Sequence, residues 1–300
     1  MASTLKTADK KPTISFYSKQ KVMCPVCKKP FEKEEMLSGG GRMIAGELTD
    51  ELRRTYEPSA KYGKVYPFLY SIGACPVCDT AFFWNDFKNI DDEATFIMLS
   101  DSQKTRKEMV ETIFPHYNLK HERSLYDGAA AYYLALICYE SVPAAFSPTI
   151  KKAQIALRLA WICYELNIEC PDHNFDFISL QFYRKALFFY DEAILFETDH
   201  TEDIAGIGNF GPDIDKNYGY DGVVYLCAML EFKYGQKENI PERLKKLDQY
   251  KRNLARIFGL GKSSKNKPGP LLEHSRALYD KLAALLKEAN VISDDDEDAE

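Results

Sequence analysis

Two copies of one motif carry the strongest chemistry in this chain: Cys24-Pro25-Val26-Cys27 and Cys75-Pro76-Val77-Cys78. At Cys-x-x-Cys spacing a tight turn aims two sulfurs at one point. Two such turns supply four soft thiolates at about 2.3 Å around a tetrahedral ion. A site filled in this way keeps no open coordination position, so the expected role of Cys24, Cys27, Cys75 and Cys78 is structural. One zinc ion is expected, because zinc is redox-silent and prefers a closed four-sulfur tetrahedron. Iron in a rubredoxin-like site uses the same ligands and stands as the alternative. In each turn the proline fixes φ and removes a donor, leaving the following N–H groups to point at sulfur. A divalent ion with four thiolates carries about two net negative charges, which Lys21, Lys28 and Lys29 are placed to offset. A thioredoxin-like redox pair would instead want a helix N-terminus in a βαβ setting, and the duplication argues against it.

The remaining candidates are weaker. Cys138, Cys163 and Cys227 sit among apolar neighbours, where a free thiol serves as a small hydrophobe. Cys170-Pro171-Asp172-His173 mimics a metal knuckle but lacks a partner pair, with His116, His121 and His200 unplaced. Asp199, His200, Glu202 and Asp203 cluster in what reads as a polar loop. Ser38-Gly39-Gly40-Gly41 lacks the Gly-Lys-Ser/Thr ending and the leading strand of a phosphate loop. There is no HExxH and no Gly-x-Ser-x-Gly. No nucleophile is paired with a base, and the expectation is a protein without catalytic activity.

The elements that must position the cysteines divide the chain by pattern. Residues 1–21 read as a flexible basic arm. A four-cysteine module spans 22–90, rich in aromatic residues such as Phe31, Tyr66, Phe68, Phe82, Phe83 and Trp84, with short strands and one short helix expected at 47–54. A helical domain follows over 91–258. Leu125, Ala129, Tyr132, Leu136 and Tyr139 share one helix face. A second helix, through Ile155, Leu159, Ile162 and Leu166, is apolar almost all round and should be sandwiched between neighbours. Further helices are expected at 178–197, at 218–234 and after Pro241. A linker at 259–270, a C-terminal helix at 271–290 and an acidic tail at 291–300 complete the chain. Leu134–Glu140 and Leu159–Glu165 match at six of seven positions, 25 residues apart. Ala135 and Ala160 fall where neighbouring helices touch closely, and Ala186, Tyr190 and Ala193 follow the small-residue pattern of a tetratricopeptide second helix. The expected fold is mainly α, with tetratricopeptide-like antiparallel helical repeats behind a small N-terminal β module of zinc-ribbon or rubredoxin type.

Charge and hydropathy restrict the setting. The net charge of −6 comes from six acids between Asp294 and Glu300; without them 39 acids balance 39 bases. A neutral body lacks the basic footprint of a dedicated nucleic-acid binder, although Lys6, Lys10, Lys11, Lys19 and Lys21 make the arm basic. No apolar run reaches the roughly 18 residues of a membrane span. The Lys-rich start offers no secretory signal, so a cytoplasmic location is expected, where thiols stay reduced and favour metal over disulfide.

The chain resembles the bacterial domain-of-unknown-function family 2225. The resemblance rests on the two knuckles, on Phe31, on Ala81-Phe-Phe-Trp-Asn-Asp-Phe87 behind the second knuckle, on Leu159–Tyr164 and on Tyr225–Gly235. It implies a paired-knuckle metal module joined to a tetratricopeptide-like region, and no established activity. Such knuckles usually place glycine after the second cysteine, where the backbone turns left-handed. Here Lys28 and Asp79 stand there, so a strained or differently shaped first turn is expected. The functional expectation is a scaffold or adaptor whose helices bind a protein or peptide. Nucleic-acid binding through the ribbon and arm, and an iron redox role, are the alternatives.

Overall fold

Three antiparallel hairpins and a stack of helices build the computed structural model, which describes residues 12–259 and 267–289. Strand β1 (Ser15–Met23) pairs with β2 (Pro30–Met36), β3 (Ile44–Leu48) with β4 (Arg54–Glu57), and β5 (Ile72–Ala74) with β6 (Ala81–Phe83). The first and third hairpins each carry a Cys-Pro-Val-Cys turn at the tip. Gly73 in β5 is required by packing: a Cβ there would lie 2.6 Å from the Trp84 ring and 2.8 Å from Phe87.

Behind β6 come α1 (Asp86–Asn89), α2 (Glu93–Asp101) and α3 (Gln103–Ile113). Asp92 caps α2 by accepting from the Thr95 N–H. The longer helices follow: α4 (Leu125–Cys138), α5 (Pro148–Glu169), α6 (Phe175–Thr198), α7 (Gly219–Tyr234), α8 (Ile240–Phe258) and α9 (Gly269–Glu288). Ser124 caps α4, and Pro148 sits in the first turn of α5, where its missing N–H costs nothing. From α4 onward each helix packs on the next, with Ala135, Ala160, Ala186 and Ala228 fully buried. The fold is therefore mainly α with a small β module, as the sequence implies. Helix α5 is buried on almost every side, as its composition requires.

The structure revises two expectations. The sequence pattern extends the basic arm to residue 21, but β1 already runs from Ser15. Lys21 lies opposite Glu32, and Tyr17 and Phe16 lie opposite Glu34 and Glu35. Two of the five arm lysines thus belong to a strand that faces an acidic one, which removes part of the basis for nucleic-acid binding. Residues 1–11, 260–266 and the acidic tail lie outside the described residues. The helix expected at 47–54 is instead the tip of the β3–β4 hairpin. Thr49 does close one turn, its carbonyl accepting from Leu52 and its hydroxyl from the Arg53 N–H. The turn stops there because Leu52 adopts φ 57 and is fully buried against the helices. One contiguous set of buried apolar side chains runs from Cys24 to Leu286, so the small cysteine module shares the core of the helices, in keeping with its size.

Candidate metal centre

The two knuckles are built alike. In the first, Lys28 N–H donates to the Cys24 carbonyl (3.0 Å) and Cys24 N–H to Lys29 O (3.1 Å). In the second, Asp79 N–H donates to the Cys75 carbonyl (3.0 Å) and Cys75 N–H to Thr80 O (2.8 Å). Lys28 and Asp79 both take φ 56, the left-handed position where glycine is usual. The expected difference in shape of the first turn is absent. Lys28 adopts the conformation of Asp79, and its ammonium lies 5.1 Å from the centre of the Phe96 ring. Backbone N–H groups of Val77 and Cys78 point at the Cys75 sulfur, and that of Cys27 at Cys24.

The four sulfurs converge. Cys24 and Cys78 Sγ are 3.5 Å apart, and Cys27 and Cys75 Sγ 3.7 Å apart. All four lie within 4.8 Å of one another. A tetrahedron with 2.3 Å metal–sulfur bonds has edges of about 3.8 Å, so the spacing fits a four-thiolate ion. Cys24, Cys75 and Cys78 are buried and Cys27 is partly so. Hydrogen bonds from the Cys24 and Cys75 thiols hold the Cys78 pKa far below its ordinary value, while donating to Cys24 and Cys78 pushes Cys75 far above it. Four thiols this close cannot all ionise unless a cation stands between them. The donor set thus suits a metal, with ligands Cys24, Cys27, Cys75 and Cys78.

One cation near the site carries no signal in the sequence. Arg106 of α3 is buried, and its guanidinium donates to the carbonyls of Cys78 (3.0 Å) and Leu99 (2.5 Å) and to Ser102 Oγ (2.7 Å). It lies 28 residues beyond Cys78, in a run where Lys104 and Lys107 look equally basic. The Thr80 hydroxyl lies 3.2 Å from Cys78 Sγ and can donate to it as a thiolate.

A bacterial family described as "Uncharacterized protein conserved in bacteria (DUF2225)" matches residues 17–282. The chain belongs to this family. An uncharacterized protein of Borreliella burgdorferi is 40% identical over 275 residues, covering 91% of this chain and 98% of the relative. No solved structure matches the chain. The DUF2225 match begins inside β1 and ends in α9, so it takes in both the knuckles and the helices.

A buried polar line on α5 holds this DUF2225 chain's two parts together. Lys151, Gln154, Arg158, Trp161 and Glu165 recur at helical spacing, and all five are buried. Lys151 pairs with Asp86 behind the second knuckle (2.7 Å), whose carboxylate also accepts from Tyr139 OH (2.5 Å). Trp161 Nε1 donates to Glu51 at the β3–β4 tip (2.6 Å), and Tyr183 and Tyr234 hydroxyls reach the same carboxylate, each at 3.0 Å. Glu165 pairs with Arg53 (2.9 Å) and Lys64. Periodicity alone could not find this line, because a polar residue on an otherwise apolar helix reads as a solvent-facing one.

The other sequence candidates have structural explanations. Cys138 sits beside the second knuckle, where its sulfur accepts from the Ala81 N–H (3.5 Å), and burial raises its pKa to about 11. Cys163 and Cys227 are buried, and burial pushes both thiols up. Cys170 is exposed, and among the described residues it belongs to no group able to hold a metal. Asp199 and Asp203 accept from nearby backbone N–H groups, and Glu202 accepts from the Thr149 N–H and hydroxyl at the start of α5. No helix among the described residues is long and apolar enough to cross a membrane.

Proposed function

We propose that this chain is a non-enzymatic scaffold in which one structural zinc ion fixes the N-terminal hairpins and the helices bind a protein or peptide partner. The saturated site supports the structural role. Four sulfurs, three of them buried, leave a metal no position for a substrate. Zinc there would supply cross-linking and no reaction step. None of the eight cysteines is paired in a disulfide, which suits a reducing cytoplasm.

The binding half rests on one observation, a row of exposed apolar side chains on α6. Phe177, Phe188 and Leu195 are each more than half exposed and lie 11 and 7 residues apart, close to one line along the helix. Tyr164 and Ile168, at the end of α5, are equally exposed. The order of helices and their buried alanines suit a tetratricopeptide-like array, which presents such surfaces to extended partners.

Affinity capture from the native host tests this reading, using wild type, Cys24→Ser and the double variant Phe177→Ser/Phe188→Ser. The expected preparation is colourless with one zinc per chain. The double variant should keep the zinc and the melting temperature yet lose the captured protein. An iron chromophore would defeat the zinc assignment. Capture that is indifferent to the α6 substitutions, or retained material that vanishes with nuclease, would defeat the proposed surface.

A further inference from the structure

The seam between the cysteine module and α5 holds a cavity of about 390 Å³ that the structural zinc reading leaves unused. One wall comes from Phe83–Asn89 behind the second knuckle, another from the 205–214 loop, and the floor from Lys151, Gln154 and Arg158 of α5. Those three floor side chains are each at least 96% buried. Burying a charge is costly unless it is paired. Lys151 meets that demand through Asp86, at 2.7 Å.

Arg158 does so less completely. Its Nε donates to Pro212 O (2.6 Å), the Tyr132 hydroxyl is a hydrogen-bond neighbour, and its guanidinium lies 5.7 Å from the centre of the Phe83 ring. Among the described residues it takes part in no ion pair. The carboxylate whose charge it influences, Asp213, already accepts from the backbone N–H groups of Arg54 (2.9 Å) and Ile214 (2.7 Å). The cavity lining itself therefore carries two cations and one carboxylate, Asp86, with the buried Asp213 beside Arg158 but outside the lining. At the mouth stand the exposed residues Asn85, Asn89 and Asn209, polar and uncharged. A cleft of this volume with a few convergent polar groups is the ordinary form of a small-molecule site.

From this geometry we infer that the seam cavity binds a small organic anion, whose carboxylate or phosphate group faces Arg158. An oxyanion there would give Arg158 the direct ion pair it lacks among the described residues, and guanidinium donors match its planar or tetrahedral oxygens. The mouth amides can then take the polar remainder of the ligand.

The test uses the full-length, metal-loaded protein. Its thermal midpoint would be followed against benzoate and phenyl phosphate, with chloride at equal ionic strength as the control. One of the two oxyanions should raise the midpoint in a saturable way, and which one does so separates the carboxylate source from the phosphate source. Arg158→Gln should abolish the effect. Because that change is buried, Asn89→Asp serves as the folding-neutral variant. It places a like charge at the mouth of the cavity and should weaken binding about tenfold. Equal midpoints in oxyanion and chloride would overturn the inference, as would binding to Asn89→Asp at wild-type strength. Neither result would touch the zinc content or the α6 surface.

Discussion

Replacing Glu51 by alanine should be among the most damaging single changes outside the metal site. The side chain caps the β3–β4 tip and lies almost wholly inside the helical domain. Its carboxylate accepts from Trp161 Nε1 (2.6 Å), Tyr183 OH (3.0 Å) and Tyr234 OH (3.0 Å), and pairs with Lys233 at 3.2 Å. Alanine would leave two buried donors, Trp161 and Tyr183, and the partly buried Tyr234 hydroxyl without this acceptor, at about 1 kcal/mol each. Lys233 keeps Asp50 at 2.7 Å and is partly exposed, so its lost pair adds under about 1 kcal/mol. The expected loss is therefore about 3–4 kcal/mol, or roughly 5–6 °C in melting temperature for a chain of this size. Glu51→Gln keeps one acceptor oxygen and should lose about half as much. Asp50→Asn, at the exposed edge, should lose under about 1 kcal/mol. Urea denaturation followed by tryptophan fluorescence measures all three, since Trp161 touches Glu51 directly. A Glu51→Ala loss below about 1 kcal/mol, or one equal to that of Asp50→Asn, would refute the view that this carboxylate anchors the hairpin.

Other expectations follow from the same contacts. Gly73→Ala should destabilise by about 1–3 kcal/mol, because the new methyl meets the Trp84 and Phe87 rings, and an unchanged melting temperature would contradict that packing. Lys28→Gly should stabilise by up to about 1 kcal/mol by relieving a positive φ, with metal content unchanged by elemental analysis. Burial alone would raise the Glu165 pKa, but Lys64 and Arg53 outweigh it and hold the carboxyl below its ordinary 4.5. Its contribution is thus fully present above that unfolded value and is lost as pH falls through the lower folded one. Glu165→Gln should flatten the acid limb of stability against pH, and an acid limb as steep as in the wild type would count against the pairing.

Much of this architecture is legible in the sequence because local chemistry and tertiary structure agree. The knuckle spacing brings Cys24, Cys27, Cys75 and Cys78 together as expected, and the helix at 178–197 appears as Phe175–Thr198. Where they disagree, tertiary contacts win. Glu47–Arg54 contains good helix formers, yet only the Thr49 turn forms, because Leu52 and Glu51 gain more from burial against α5–α7. The strand at 15–21 was hidden for the opposite reason: Lys19, Gln20 and Lys21 look unstructured until acidic β2 lies beside them. Arg106 and Arg158 were unreadable for a third reason. A buried cation and a solvent-facing one have the same place in a helical pattern, and only the carbonyls and rings around them tell them apart.

The reach of the β3–β4 hairpin also governs the order in which the protein can be made. Glu51 is satisfied only by residues up to 183 positions further along the chain. During synthesis the N-terminal hairpins emerge first, and the four knuckle sulfurs can converge once residue 78 is out. The hairpin tip must then wait, with a carboxylate and a leucine exposed, until α7 has left the ribosome. Contacts of such long sequence separation form slowly, and the waiting tip is the point at which a nascent chain is open to misassembly or to capture by a chaperone.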